Sequence, residues 1–163
     1  MTSRTGKRSF TFIELLIVIL IIAILSAISI PRLRNAFYGF RLEGFAKDVY
    51  YLSLYLQGSA AAKGKIYCLN ISPDQRNFRA TQKKEDVAAD ENKDEFEAVK
   101  GNYGKLLEAP AGVVVSIEPH PAGELYFYPD ASMDKSLNII FTDPYNKKIT
   151  LAIKGAAGAI EIK

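Results

Sequence analysis

The chain begins with a hydrophobic run that contains one charged residue. Residues 10–30 are predominantly apolar, and Glu14 is the only charged side chain among them. At about 1.5 Å rise per residue, a helix of this length matches the roughly 30 Å hydrocarbon core of a bilayer. The pattern therefore predicts a single transmembrane helix. It also places a carboxylate near one end, although a charge at the bilayer centre costs on the order of 3 kcal/mol.

After Pro31 the hydrophobic positions recur in steps of three and four. These positions are Leu42, Phe45, Val49, Leu52 and Leu56. The spacing predicts an amphipathic helix whose apolar stripe needs a packing partner. Gly64 suits the left-handed cap that commonly ends a helix. If Pro31 bends the helix rather than breaking it, one rod from about Thr11 to Lys63 extends for roughly 80 Å.

The rest of the chain changes to a period of two. Short segments rich in β-branched and aromatic residues, separated by turn sequences such as SPDQRN and DPYNKK, occupy residues 65–71, 77–82, 112–118, 123–129, 137–143, 148–154 and 159–163. Apolar or β-branched side chains alternate along them at Tyr126, Tyr128, Ile140, Thr142, Leu151 and Ile153. The segments predict antiparallel sheet structure covered by the amphipathic helix, which is an α+β fold.

Residues 83–109 form a polar exception between the early and late strands. We interpret this segment as a surface loop with a short helical turn and no regular strand. Its acidic part contains Asp90, Asn92 and Asp94, which have the spacing of the first calcium ligands of an EF-hand. However, Glu95 replaces the required glycine, and Gly101 stands where the bidentate glutamate should be. A solvated charge run is the preferred interpretation, and no metal site is predicted.

The composition gives little support for an enzyme. The 163 residues include a single cysteine and a single histidine, so neither an internal disulfide nor a cysteine-rich metal site is possible. His120 lies in the turn-like sequence PHPAG, and Cys68 falls in the first predicted strand as a small buried side chain. No P-loop, GxGxxG or HExxH motif is present. We predict no catalytic residue and no cofactor.

The N-terminal run is open to several interpretations on its residues alone. A secretory signal also combines basic and apolar regions, and cleavage after Ala27 would release a domain that begins at Ile28. Arginines follow the run as well as precede it, so the positive-inside rule does not fix its orientation. Glu14 either snorkels to the lipid headgroups or pairs with a cation. A terminal amine at Phe10 of a staggered neighbouring subunit would be a suitable cation.

The sequence FTFIELLIVILIIAIL, residues 10–25, resembles the N-terminus of type IV prepilins and type II secretion pseudopilins. The resemblance implies that a prepilin peptidase cuts between Ser9 and Phe10, that the amine of Phe10 is methylated, and that Glu14 helps the subunit to join a fibre. Pro31 matches a proline that the family often has where the membrane half of the helix ends. Members of the family nearly always have glycine before the cut, whereas this chain has Ser9.

The order of the later elements resembles the GspH/FimT group of minor pseudopilins and minor pilins. That group has a long helix followed by a largely β globular head, and it commonly has glycine after its PD turn, where this chain has Ala131. The resemblance implies a pilin-like fold. Its expected parts are a basic leader at 1–9, a transmembrane and assembly half of the helix at 10–30, an amphipathic half at 31–64, and a β-rich head at 65–163 that includes the charged loop.

The same resemblance implies a non-enzymatic subunit of a type II secretion system or a type IV pilus-like fibre. Its expected partners are the prepilin peptidase, other pilin or pseudopilin subunits and inner-membrane lipid, with an assembly platform and ATPase acting indirectly. The head is expected in the periplasm of a bacterium, on a single-pass inner-membrane anchor. Alternatives are a simple exported domain and a FimT-like minor pilin that contacts DNA through Lys147 and Lys148.

Overall fold

The computed structural model describes residues 11–84, 96–119 and 123–163. Its first element is the helix α1, Phe12–Lys63, which contains 52 residues and remains helical through Pro31. Gly64 follows with a φ of 64°, the left-handed conformation that ends a helix most readily when glycine provides it. The prediction of one long helix with a glycine cap is confirmed, and a break at Pro31 is excluded.

Short strands and one turn of 3₁₀ helix make up the rest of the described chain. The strands are β1 (Tyr67–Ile71), β2 (Asn77–Lys83), β3 (Phe96–Ala98), β4 (Leu107–Glu108), β5 (Val114–Glu118), β6 (Glu124–Phe127), β7 (Leu137–Thr142), β8 (Lys148–Lys154) and β9 (Ala159–Ile162). The 3₁₀ turn is Asn102–Gly104 and lies between β3 and β4.

The strands form two antiparallel sheets. One contains β3, β2, β1 and β6 in that order, with β4 also paired to β2. The other has the order β5, β7, β8 and β9. Met133 forms an isolated antiparallel β-bridge with Phe127, the last residue of β6. The amide of Met133 also donates to the carbonyl oxygen of Gly155, the residue that follows β8. The polypeptide after β6 therefore links the two sheets.

The polar segment 83–109 differs from its prediction. The expectation of no regular strand is wrong, because β3 and β4 lie in this segment and both pair with β2. These strands contain three and two residues, too few to show an alternating pattern, and they form because the outer edge of β2 supplies hydrogen-bonding partners. The predicted short helical turn is confirmed by Asn102–Gly104.

The head has one core that α1 and both sheets build together. Leu42, Val49 and Leu56 of the predicted helical stripe are fully buried, and so is the neighbouring Ala46. Phe45 lies at the centre, with its ring 5.8 Å from that of Phe78 in β2 and 5.6 Å from that of Phe141 in β7, both edge to face. The helix thus covers the two sheets at once, as the apolar stripe requires.

Alternation along the strands decides which side chains reach this core. In β8 the buried residues are Leu151 and Ile153, two of the alternating positions recognised in the sequence. In β6 and β7 the fully buried positions are the intervening ones, Leu125, Phe127, Ile139 and Phe141, whereas Tyr126, Tyr128, Ile140 and Thr142 are only partly buried. The period of two is therefore present throughout, with its phase set by the packing against α1.

A polar contact also attaches α1 to two turns of the head. The side-chain amide nitrogen of Gln57 donates to the carbonyl oxygens of Ala131, at 2.8 Å, and Gly158, at 2.6 Å. Ala131 has a φ of 64°, so this alanine holds the left-handed conformation that glycine adopts more easily. Gly158 is also left-handed, and a Cβ on it would lie 2.7 Å from the carbonyl oxygen of Ala131.

The chain divides into two units, with the division between Phe37 and Tyr38. Residues from Tyr38 onward form the compact head, which includes the second part of α1. The described residues up to Phe37 form the other unit and consist of the first part of α1.

Candidate assembly site

Residue Thr11 caps the N-terminal end of α1. The amide of Glu14 donates to the carbonyl oxygen of Thr11 at 3.1 Å and to its side-chain hydroxyl oxygen at 3.3 Å. A threonine followed three residues later by glutamate is the sequence of a capping box, and an acidic side chain in the first turn complements the helix dipole. The local sequence TFIE therefore starts the helix at Phe12 and places Glu14 in its first turn.

The carboxylate of Glu14 is exposed and has no ion-pair partner in the part of the chain that the structure describes. Within residues 11–84, 96–119 and 123–163, no lysine or arginine lies within ion-pair distance of it. Ser9 and Phe10, the residues of the expected cleavage and methylation, lie outside the described part of the chain. The geometry is compatible with a carboxylate that finds its cation on another molecule.

Large apolar side chains are exposed all along the same stretch of helix. The exposed fraction is 80% for Phe12 and 59% for Ile30, and every large hydrophobic residue between them is also exposed. An 18-residue window of this helix has a mean hydropathy of 3.0, and none of it is buried within the protein. By length and composition it is capable of crossing a membrane, a property that it shares with signal sequences.

The N-terminal segment matches a known sequence motif. The family described as the prokaryotic N-terminal methylation motif matches residues 4–30, which contain Ser9, Phe10 and Glu14. A search of curated proteins found no matching sequence.

The fold also has known counterparts. The minor pseudopilin EpsH from the type 2 secretion system of Vibrio cholerae aligns at 15% sequence identity and a TM-score of 0.58, over 72% of this chain and 92% of EpsH. The type IV minor pilin FimU of Pseudomonas aeruginosa aligns at 12% identity and a TM-score of 0.54, over 75% of this chain and 87% of FimU. This chain therefore carries a prokaryotic N-terminal methylation motif and has the fold of these two structures.

The long helix packed on antiparallel sheets confirms the predicted α+β, pilin-like fold. The structures that it resembles are those of a pseudopilin and a pilin, which are structural subunits. The roles expected for Ser9, Phe10, Glu14 and Pro31 remain predictions, and so do the boundaries of the leader and of the two halves of the helix.

The lysines considered for DNA lie in the turn before β8 and at its start. The ammonium group of Lys147 is 2.7 Å from a carboxylate oxygen of Glu43 on α1, and this hydrogen-bonded charge lowers the pKa of Glu43 below its usual value. Lys148 is exposed. A phosphate contact of Lys147 would compete with this ion pair, and DNA binding through the two lysines remains a prediction.

The remaining candidates from the sequence are Cys68, His120 and the acidic triad. Cys68 is buried in β1, and burial, with a smaller effect of the Glu124 charge, raises the pKa of its thiol to about 12. The thiol therefore stays protonated at neutral pH and is a poor nucleophile. His120 and the triad at 90–94 lie outside the described residues, among which no group of three potential metal ligands occurs.

A groove on the head was not predicted from the sequence. It has a volume of about 540 Å³ and is lined by Asp48, Tyr51, Leu52, Asn102, Tyr103, Lys105, Leu106 and Leu107. Beside it, the ring of Tyr103 stacks on that of Tyr55 at 4.0 Å. The groove escaped prediction because half of its lining comes from the segment between β3 and β4, which has no periodic pattern.

Proposed function

We propose that this protein is a non-enzymatic minor pseudopilin or minor pilin of a type II secretion system or a type IV pilus-like fibre. The match of residues 4–30 to the methylation motif carries the proposal, because the motif coincides with a helix segment that finds no burial within its own chain. The resemblance of the fold to EpsH and FimU supports it.

Processing comes first in this proposal. A prepilin peptidase removes residues 1–9 by cutting between Ser9 and Phe10, and the new amine of Phe10 is methylated. Serine at the position before the cut is small, like the glycine that the family usually has there. The subunit then remains in the bacterial inner membrane through residues 10–30, with the head on the periplasmic side.

Assembly transfers the same helix from lipid to a fibre. Neighbouring helices of other subunits replace the lipid around the apolar side chains of residues 12–30. Because lipid tails are about as apolar as leucine, this exchange alone supplies little free energy. An assembly platform and an ATPase therefore supply the work of extraction.

Glu14 supplies the register in this proposal. Its carboxylate, unpaired among the described residues, pairs in the fibre with the terminal amine of Phe10 of an adjacent subunit. Pairing lets the two charges compensate each other within an apolar environment, whereas a misaligned helix would leave both of them unpaired. Buried ion pairs are best attested in this role of fixing register. Glu14 therefore acts on the axial stagger of neighbouring subunits.

The substitution Glu14→Ala tests the proposal. We expect the variant to insert into the membrane as the unmodified chain does and to be absent from purified fibres or their tip complexes, as measured by immunoblotting of both fractions. Glu108→Ala serves as a control, because it removes an exposed carboxylate from the head. Incorporation of the Glu14 variant at the unmodified level would contradict the role of Glu14.

A further inference from the structure

Two arginines follow the apolar run directly. Arg32 and Arg34 lie in α1 and are exposed, and neither has an ion-pair partner within the described ranges 11–84, 96–119 and 123–163. The sequence contains no acidic residue between Glu14 and Glu43. The two guanidinium groups therefore carry positive charge that nearby residues of their own helix do not compensate.

The helix geometry places these arginines at a defined depth. If residues 10–30 fill the hydrocarbon core, Arg32 lies about 3 Å and Arg34 about 6 Å beyond Ile30 along the helix axis. The polar headgroup layer on each side of a bilayer is roughly 5–7 Å thick. Both side chains thus reach the layer in which the lipid phosphates lie.

The two arginines also point in different directions. A separation of two residues rotates the helix by about 200°, so Arg32 and Arg34 lie on nearly opposite sides of it. A single phosphate cannot bridge them, whereas two separate lipid molecules can each meet one guanidinium group. Leu33, which lies between them and is exposed, supplies apolar surface at the same depth.

The position of this charge is unfavourable for insertion with the head outside. Basic residues near a membrane segment favour the cytoplasmic side, so arginines on the side of the head oppose translocation of the head. A chain that places two of them there needs a compensating interaction. Guanidinium groups bind phosphate oxygens in a bidentate manner, which provides such an interaction.

We propose that Arg32 and Arg34 bind the phosphates of anionic phospholipids in the leaflet on the side of the head, and so hold the subunit at a fixed depth before assembly. This inference rests on the proposed function, because it requires the helix to reside in a membrane. The chemistry that is recognised is a phosphate ester carrying net negative charge at the bilayer surface.

The test uses the full chain in nanodiscs that contain equal amounts of phosphatidylglycerol and phosphatidylcholine. Native mass spectrometry measures the ratio of the two lipids that remain bound to the released protein. We expect enrichment of phosphatidylglycerol in the unmodified chain, falling by roughly fivefold for each arginine removed, in line with the attraction of a basic residue to an anionic surface. The double variant Arg32→Gln/Arg34→Gln is expected to lose the enrichment.

The matched control is the double variant Lys47→Gln/Lys105→Gln, which removes the same charge from exposed positions of the head. It is expected to keep the enrichment. Equal enrichment in the two double variants would overturn the inference, and so would displacement of the bound lipid by excess inorganic phosphate at constant ionic strength, because the site would then recognise a free anion.

Resistance to alkaline extraction, measured in membranes with the same variants, separates this inference from the proposed function. Loss of insertion in the unmodified chain would contradict the proposed function. Intact insertion together with equal lipid ratios in both double variants would overturn only the role of the two arginines.

Discussion

The two parts of α1 show how one helix meets two different environments. From residue 42 to residue 60, the apolar side chains of the stripe face the sheets and are almost completely buried, with Leu56 at 0% exposure. From residue 12 to residue 30, apolar side chains occur on every side of the helix, and all the large ones are exposed. The first arrangement is an amphipathic helix of a globular domain, and the second lacks a polar face.

This difference assigns the two parts different partners. The stripe of the head finds its partner in β-strands of the same chain, so its burial contributes to the stability of one molecule. A helix that is apolar on all sides is unfavourable in water, so it requires lipid or other helices around it. The fold of the head is therefore a property of the single chain, whereas the state of the N-terminal part depends on what surrounds it.

The largest expected effect comes from removing the N-terminal part altogether. Without residues 1–37, the remaining compact unit retains its helix stripe and both sheets. We expect it to fold in aqueous buffer and to lose membrane association completely, as measured by cell fractionation and by circular dichroism during thermal unfolding. Retention of the truncated chain in the membrane fraction would remove the contrast between the two parts.

A matched pair of leucine substitutions tests the contrast within the intact helix. Leu56→Ala leaves a cavity in the core of the head and is expected to lower its unfolding free energy by about 2–5 kcal/mol. Leu20→Ala removes a side chain that is exposed in the single molecule, and no loss of head stability is expected. Chemical denaturation of the full chain in detergent measures both, and equal losses would show that the parts are not independent.

The polar attachment of the helix to the head has a smaller expected effect. Gln57→Ala leaves the carbonyls of Ala131 and Gly158 without their shared donor, which is expected to cost about 1–3 kcal/mol. Gln82→Ala removes a partly buried side chain whose hydrogen bond to Glu97 is exposed, and it should change stability by less than about 0.5 kcal/mol. Equal midpoint shifts in denaturant would contradict a specific role for Gln57.

The left-handed turn at Ala131 allows a test in which the sign of the effect matters. Ala131→Gly relieves a conformation that is unfavourable for residues with a Cβ and should stabilise the head by about 0.5–1 kcal/mol. Ala61→Gly, at an exposed position of α1, should destabilise it by about 1 kcal/mol. Thermal unfolding measures the stability change of each variant. Destabilisation by both substitutions would show that the turn at Ala131 is not strained.

The ion pair between Glu43 and Lys147 is expected to have the smallest effect, because both side chains are exposed. The hydrogen bond and charge of Lys147 lower the pKa of Glu43, so the pair stabilises the folded state above the ordinary glutamate pKa of 4.5 and ceases to do so as pH falls through the lowered value. Lys147→Ala should lower the melting temperature slightly at pH 7, and the difference should vanish in acid. Lys148→Ala should show no such pH dependence.

Much of the fold followed from periodicity in the sequence. The long helix, its end at Gly64 and seven of the strands have clear patterns over five or more residues, or over four in β6 and β9. The strands β3 and β4 have no clear sequence pattern, because they form by pairing with the edge of β2 rather than through their own composition. The phase of β6 and β7 was likewise set by tertiary packing, since either face of these strands carries apolar residues.

The candidate site was proposed from the sequence for a different reason. Glu14 stands out because a charge in an apolar run needs an explanation, and the surrounding residues match a known motif. The contact of Gln57 with two turns and the groove beside Tyr103 gave no such signal, because they combine residues far apart in the chain. The motif around Glu14 could therefore be recognised from the sequence, whereas contacts that depend on the packed head could not.

The most direct measurement is mass spectrometry of the N-terminus of the native protein isolated from its own cells. We predict a chain that begins at Phe10 and carries a methyl group on its amine, because in the proposed assembly this terminus provides the cation for Glu14 of a neighbour. A functional protein that still begins at Met1, or one that begins at Ile28 after loss of the apolar run, would contradict the account.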